Sequence, residues 1–229
     1  TSSIYSAKTL YGKWSLHKFT VVFDRQDGGL VESKTVDYSK TISPPTAPTK
    51  SGYAFLGWYK DAAGKTAWNF ATDKVSGDTI LYAKWAAGVE NHGVYNQDVK
   101  ISFNEATAKL DGKDFTSGMT VSSEGNHTLV VTDAAGNVTT VKFTIDKTAP
   151  KAPIVNKVSS TSTIVTGTAE AGSTIVIKAG IKTVGTGTVD SNGKFTVSIV
   201  KQTVSTHLYV TAIDKAGNES SATKETVSK

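Results

Sequence analysis

Leu10-Tyr11-Gly12-Lys13-Trp14 returns as Leu81-Tyr82-Ala83-Lys84-Trp85, 71 residues further along a chain of 229. In both copies Leu, a small residue and Trp alternate with Tyr and Lys, the period of a strand that turns one face to a core. Each copy is therefore expected to be the closing strand of a repeat unit. On this reading residues 1–14 are the tail of a preceding repeat and residues 15–86 a complete one. The chain is then expected to be a piece of a longer array of small β-modules.

The rest of residues 15–86 fits a β-module. Phe19, Val21 and Phe23 alternate with Thr20, Val22 and Asp24, and Asp27-Gly28-Gly29 follows as a turn. Glu32–Tyr38 reads as a weaker strand. Pro44, Pro45 and Pro48 exclude both a helix and a central strand from 42–49, because each removes a backbone donor. Tyr53–Tyr59 is an aromatic-dense strand. A short helix is expected, if anywhere, near 39–43 or 71–76, since no long 3.6-residue periodicity exists.

Ala86–Asn91 reads as a small-residue linker, with Ala86-Ala87-Gly88 leaving a loose junction. Residues 87–148 carry short alternating runs at Val99–Phe103, Thr107–Leu110, Met119–Ser122, His127–Thr132 and Val138–Ile145, which suggests a β-sandwich. Pro150 and Pro153 mark the next boundary and stiffen it. Residues 149–229 form a third module, rich in Val and Thr as pleated surfaces favour. Within it Ser191-Asn192-Gly193, between two alternating runs, is a hairpin signal.

Composition narrows the function. There is no cysteine, so neither disulfide staples nor thiolate chemistry are available. The net charge of +5 is spread unevenly, with an acidic stretch at 87–148 between mildly basic flanks. That is not the clustered basic face that nucleic acid requires, so no nucleic-acid partner is expected. Apolar runs are only a few residues long, so no membrane insertion is expected from this sequence.

Four motifs in order carry a family resemblance: Phe19–Asp24, Gly28-Gly29, Gly52-Tyr53-Ala54-Phe55-Leu56-Gly57-Trp58-Tyr59 and Leu81–Trp85. Together they resemble the Listeria–Bacteroides repeat, the B repeat of internalin-type surface proteins. The resemblance implies a small β-grasp-like fold in a cell-surface or secreted protein, and no catalytic residues. Thr132-Asp133-Ala134-Ala135-Gly136-Asn137, Asp214-Lys215-Ala216-Gly217-Asn218 and Asp146-Lys147-Thr148-Ala149-Pro150 resemble the bacterial immunoglobulin-like domains of surface adhesins. The expected fold class is therefore mainly β: a β-grasp-like repeat followed by two immunoglobulin-like β-sandwiches in a linear array, from a Gram-positive bacterium.

Catalysis has little to stand on. His17, His92, His127 and His207 are isolated, and no nucleophile elbow or phosphate-cradling loop is present. No enzyme activity and no cofactor or metal are expected. The best binding candidates are Tyr53, Trp58, Tyr59 and Trp68, whose flat rings could stack on sugar or on a host surface protein. Against this, a cysteine-free domain of this size needs most such rings in its core. Trp58 and Trp85 are expected there. The Asp133/Asn137 and Asp214/Asn218 pairs are hard oxygen donors for calcium, or simple turn residues that bond to their own backbone. A Lys–Asn isopeptide cross-link, from Lys100 or Lys142, would require a buried amine.

Two functions remain. One is a spacer, expected to be monomeric, at the cell surface or cell wall or secreted, that projects a distal domain. The other is a module that binds glycan or host protein, as an accessory to a secreted hydrolase. Three modules in a line would reach about 100 Å, whereas a compact chain of this length has a radius of gyration of about 17 Å.

Overall fold

The computed structural model describes residue 15 and residues 17–29, 32–103 and 107–229. The repeat tail expected at 1–14 lies outside the described residues. Among the described residues there is no helix, and the protein is mainly β. At 39–43 Ser39 takes a φ of 62° and an extended segment follows, while 71–76 is turn and coil. The short helix expected at one of these places is therefore not formed.

The first sheet holds β1 (Lys18–Asp24), β2 (Glu32–Asp37), β3 (Tyr53–Tyr59) and β4 (Thr79–Ala87), in the order β2-β1-β4-β3. β1 and β2 pair antiparallel, with Phe19 opposite Val36, whereas β1 and β4 run parallel, with Phe23 opposite Leu81. First and last strands side by side in the middle of the sheet are the β-grasp arrangement. The second copy of the pentapeptide, at 81–85, thus lies on a central strand. Its Leu81 and Ala83 are buried beside Val21, Phe23, Ile42 and Val75. The proline-rich stretch 42–49 forms neither helix nor strand, as expected. Its carbonyls are met by side chains: Lys34 Nζ donates to Ser43 O and Pro44 O, and Arg25 donates to Thr49 O.

β4 extends into the first residues of the stretch that reads as a linker in the sequence. It runs through Ala87, whose N–H donates to Ser102 O while Ser102 N–H donates back to Ala87 O. Gly88 has a φ of 89°, and a Cβ there would stand 1.9 Å from Lys100 O. Without a Cβ, Gly88 permits this close backbone approach to Lys100.

Seven strands follow: β5 (Gly93–Tyr95), β6 (Val99–Lys100), β7 (Thr107–Leu110), β8 (Lys113–Phe115), β9 (Thr120–Val121), β10 (Gly125–Thr132) and β11 (Val138–Ile145). They form a five-stranded sheet, β5-β11-β10-β7-β8, and the pair β6-β9. Then come β12 (Ile154–Val155), β13 (Ile164–Thr168), β14 (Thr174–Ala179), β15 (Lys182–Thr188), β16 (Lys194–Ser198), β17 (His207–Ile213) and β18 (Thr223–Thr226). These make two sheets, β12-β13-β16 and β15-β14-β17-β18. Val165, Phe195 and Val197 from one sheet and Ile175, Ile177, Leu208 and Val210 from the other share one buried cluster, so the two sheets form a sandwich.

The turn at Ser191-Asn192-Gly193 is present, closed by Asp190 N–H to Lys194 O and by Asp190 Oδ1 accepting from Asn192 and Lys194 N–H. It does not join a hairpin within one sheet. β15 and β16 lie in different sheets, and the β14–β15 pairing runs on to Val189, whose N–H donates to Ser173 O, before the chain enters this turn. The hairpin forms one turn earlier, β14 with β15 across Gly180, which has a φ of 61°.

The chain divides into two compact units. One comprises Thr1–Ala86, Phe103–Thr107 and Val131–Thr139; the other comprises Ala87–Ser102, Ala108–Val130 and Thr140–Lys229.

Candidate binding surface and turn sites

Strict alternation along β3 would set Tyr53, Phe55, Gly57 and Tyr59 on one face against Ala54, Leu56 and Trp58 on the other. The structure breaks that alternation. Phe55 and Trp58 pack against the same core, their ring centroids 5.4 Å apart. The break sits at Gly57, whose φ of 141° is closed to most side chains. Trp58 also meets Phe23 edge-on at 5.0 Å, and Phe55 meets Trp85 at 5.6 Å. The rings thus form a chain of edge-to-face contacts inside the first sheet.

The four candidate rings fare differently. Trp58, Tyr59 and Trp68 are 2–5% exposed, while Tyr53 is 37% exposed. Lysines cover the rings from outside, a feature sequence reading missed. Lys84 Nζ lies 5.4 Å from the Tyr59 ring centre, Lys60 Nζ 5.3 Å from that of Trp68, and Lys50 Nζ 4.2 Å from that of Tyr53. Lys60 is held there by Asp73 at 3.0 Å. Burial opposes ionisation of Asp73, but the Asn69 amide and Lys60 outweigh it and hold the carboxyl below its ordinary value. Trp85, half-buried, donates its indole N–H to Arg25 O. The described side chains therefore gather the aromatic residues into a core and do not bring the four candidates into one open platform. A cavity of about 390 Å³ beside them is lined by Phe23, Arg25, Glu32, Thr46, Pro48 and Trp58, among others.

The two acidic turns are near copies of one another. Asp133 Oδ1 accepts from Ala135 and Asn137 N–H, its Oδ2 accepts from Asn137 Nδ2 at 2.9 Å, and Asp133 N–H donates to Asn137 O. Asp214 Oδ1 accepts from Asn218 N–H, its Oδ2 from Asn218 Nδ2 at 2.8 Å, and Asp214 N–H donates to Asn218 O. Gly136 and Gly217 supply φ values of 81° and 92°. Both carboxylates thus spend their oxygens on the turn. Among the described residues no group of three His, Cys, Asp or Glu side chains is placed to hold a metal ion. Lys100 and Lys142 are exposed, so neither provides the buried amine an isopeptide cross-link needs.

With this geometry in hand, the likenesses to known proteins fall into place. Residues 19–84 match the Listeria-Bacteroides repeat domain, and residues 149–229 match the Bacterial Ig domain. A protein of Evansella cellulosilytica described as a Gly-rich membrane protein is 42% identical over 89 residues, covering 39% of this chain and 10% of that protein. Internalin H of Listeria monocytogenes is 44% identical over 78 residues, covering 34% of this chain and 14% of that protein. The chain spans about 10–15% of the length of the curated relatives it matches. Among solved structures, the BSP domain of a biofilm associated protein aligns over 63% of this chain and 30% of its own, at 19% identity and a TM-score of 0.34. The chain thus carries a Listeria–Bacteroides repeat domain over residues 19–84 and a bacterial Ig domain over residues 149–229.

Proposed function

We propose that the chain is a non-catalytic spacer of a bacterial cell-surface or secreted adhesin-like protein, made of three successive β-modules that hold a distal functional domain away from its anchor. On this reading residues 87–148 are a second immunoglobulin-like module, between the repeat domain and the Ig domain. The observation that carries the proposal is the succession of a Listeria–Bacteroides repeat and a bacterial Ig domain in one chain. The names of the relatives, Internalin H and two membrane proteins, support a surface location. The inward placement of Trp58, Tyr59 and Trp68 favours a structural use of the rings over a stacking platform.

Two measurements test this reading. On arrays of glycans and extracellular-matrix proteins, the purified chain should show no saturable binding up to about 100 µM, the weak end of specific recognition. Displayed on a Gram-positive cell between a wall anchor and a terminal epitope, it should keep the epitope open to antibody, and deleting it should mask the epitope. Saturable binding that Tyr53→Ala abolishes, or an epitope indifferent to the deletion, would overturn the spacer reading in favour of a binding module.

A further inference from the structure

The Asn of each acidic turn has one proton more than its turn requires. A carboxamide NH2 carries two donors. Asn137 uses one on Asp133 Oδ2, and Asn218 uses one on Asp214 Oδ2. The second proton leaves the turn in both cases. Asn137 Nδ2 donates to Trp68 O at 3.1 Å, 69 residues back in the chain. Asn218 Nδ2 donates to Asp146 O at 2.8 Å, 72 residues back. We propose that the Asp-x-Ala-Gly-Asn turn is a docking element, and that its partner is a main-chain carbonyl left over at the edge or end of β-structure lying earlier in the chain.

The two partners explain why a carbonyl is what the turn reads. Among the described residues β3 ends the strand order of the first sheet, and the segment that carries Trp68 meets its end through the bridge of Ala67 with Tyr59. Trp58 O accepts from Trp68 N–H, Leu56 O accepts from Thr139 Oγ1 at 2.9 Å, and Trp68 O accepts from Asn137. The segment Val131–Thr139 therefore belongs to the same compact unit as the first sheet. Asp146 lies just past the end of β11; its N–H donates to Tyr95 O, and its own carbonyl is taken by Asn218. Thr223 Oγ1 donates to Pro153 O nearby, as Thr139 does to Leu56 O. One partner is a Trp beside the first sheet and the other an Asp in the proline-marked connection. The turn is thus indifferent to side chain and to the fold that presents the carbonyl. That indifference suits a chain in which unlike β-structures follow one another.

The geometry also explains the residue types. Asp is needed because one of its oxygens organises backbone N–H groups while the other fixes the amide plane. Gly is needed for its positive φ. Asn is needed because neither Asp nor Ser has two donors on one planar group. Each Asn is half-buried, so its second proton, unmet, would be a partly desolvated donor at a real cost.

The decisive experiment is nuclear magnetic resonance on the full labelled chain. The unmodified protein should show through-hydrogen-bond coupling from Asn137 Nδ2 to the Trp68 carbonyl carbon and from Asn218 Nδ2 to that of Asp146. Asn137→Ala should shift the amide of Asn69, which follows the partner carbonyl, and speed its exchange about five- to tenfold. Lys147 should be untouched. Asn218→Ala should do the reverse. A role confined to the turn predicts changes only at 133–138 or 214–219 and no coupling, and that result would overturn the proposal. If either variant fails to fold, the couplings in the unmodified chain decide the matter.

Discussion

At Gly57 the backbone takes a φ of 141°, and this one dihedral lets Phe55 and Trp58, three positions apart on β3, share a core. A Cβ at Gly57 would find only ordinary contacts, the nearest 3.8 Å away at Tyr59. The cost of Gly57→Ala is therefore conformational and should be about 1–3 kcal/mol in chemical denaturation. Trp58, 4% exposed and edge-on to Phe23, should cost about 3–5 kcal/mol when cut to Ala. Tyr53→Ala, at the surface, should stay within about 1 kcal/mol. Equal losses for Trp58→Ala and Tyr53→Ala would contradict the assignment of one ring to the core and the other to the surface.

At the scale of elements, Gly88 lies hard against the Lys100 backbone. Gly88→Ala would drive a Cβ against the Lys100 carbonyl. It should destabilise the protein by about 1–3 kcal/mol or more, as overpacking against backbone does; a neutral result would mean this approach is not kept in solution. The turn between β7 and β8 adds a pH dependence. Asp111, at a φ of 50°, faces His127 Nδ1 at 2.8 Å and accepts from Thr128 N–H. Burial opposes its ionisation, but these bonds outweigh it and hold the carboxyl below its ordinary value. The unfolded carboxyl titrates near pH 3.9. The stabilisation is therefore fully present above that pH and is lost as pH falls through the depressed folded value. Asp111→Asn should accordingly lower the melting temperature at pH 7, with the gap to the unmodified protein closing in strong acid. A gap that persisted at pH 2 would refute this account.

For the whole molecule, the use made of Asp133 and Asp214 bears on cations. Their oxygens organise turns, and no metal-holding cluster exists among the described residues. Chelator or millimolar calcium should then leave the thermal midpoint where it was. A ligand at a hundred times its Kd would add about 2.7 kcal/mol, which is several degrees for domains of this size. A shift of that kind would point to a cation site after all.

Sequence alone carried the strand content of this protein. Period-two patterning and β-branched residues do not depend on distant partners, and strands such as β1, β10 and β11 lie where alternation puts them. The pentapeptide at 81–85 likewise announced a buried strand, since Leu81 and Ala83 show the apolar face directly. The prolines ruled out regular structure at 42–49 by removing donors, a purely local effect. Tertiary structure decided what those patterns leave open. Gly57 reads the same whether it bends a strand or merely weakens it, so which rings share a core was hidden. The 191–193 turn is chemically a hairpin turn, yet β15 pairs with β14 and β16 with β13, so the strands it joins lie in different sheets. The sequence shows the glycine at Gly88 but not the Lys100 carbonyl that lies against it. The Asp-x-Ala-Gly-Asn turns could be read as turns from their residues, but the carbonyls that take the second Asn proton lie some seventy residues away. Folding alone brings such distant groups within hydrogen-bond reach, because no local preference along the chain encodes their separation in space.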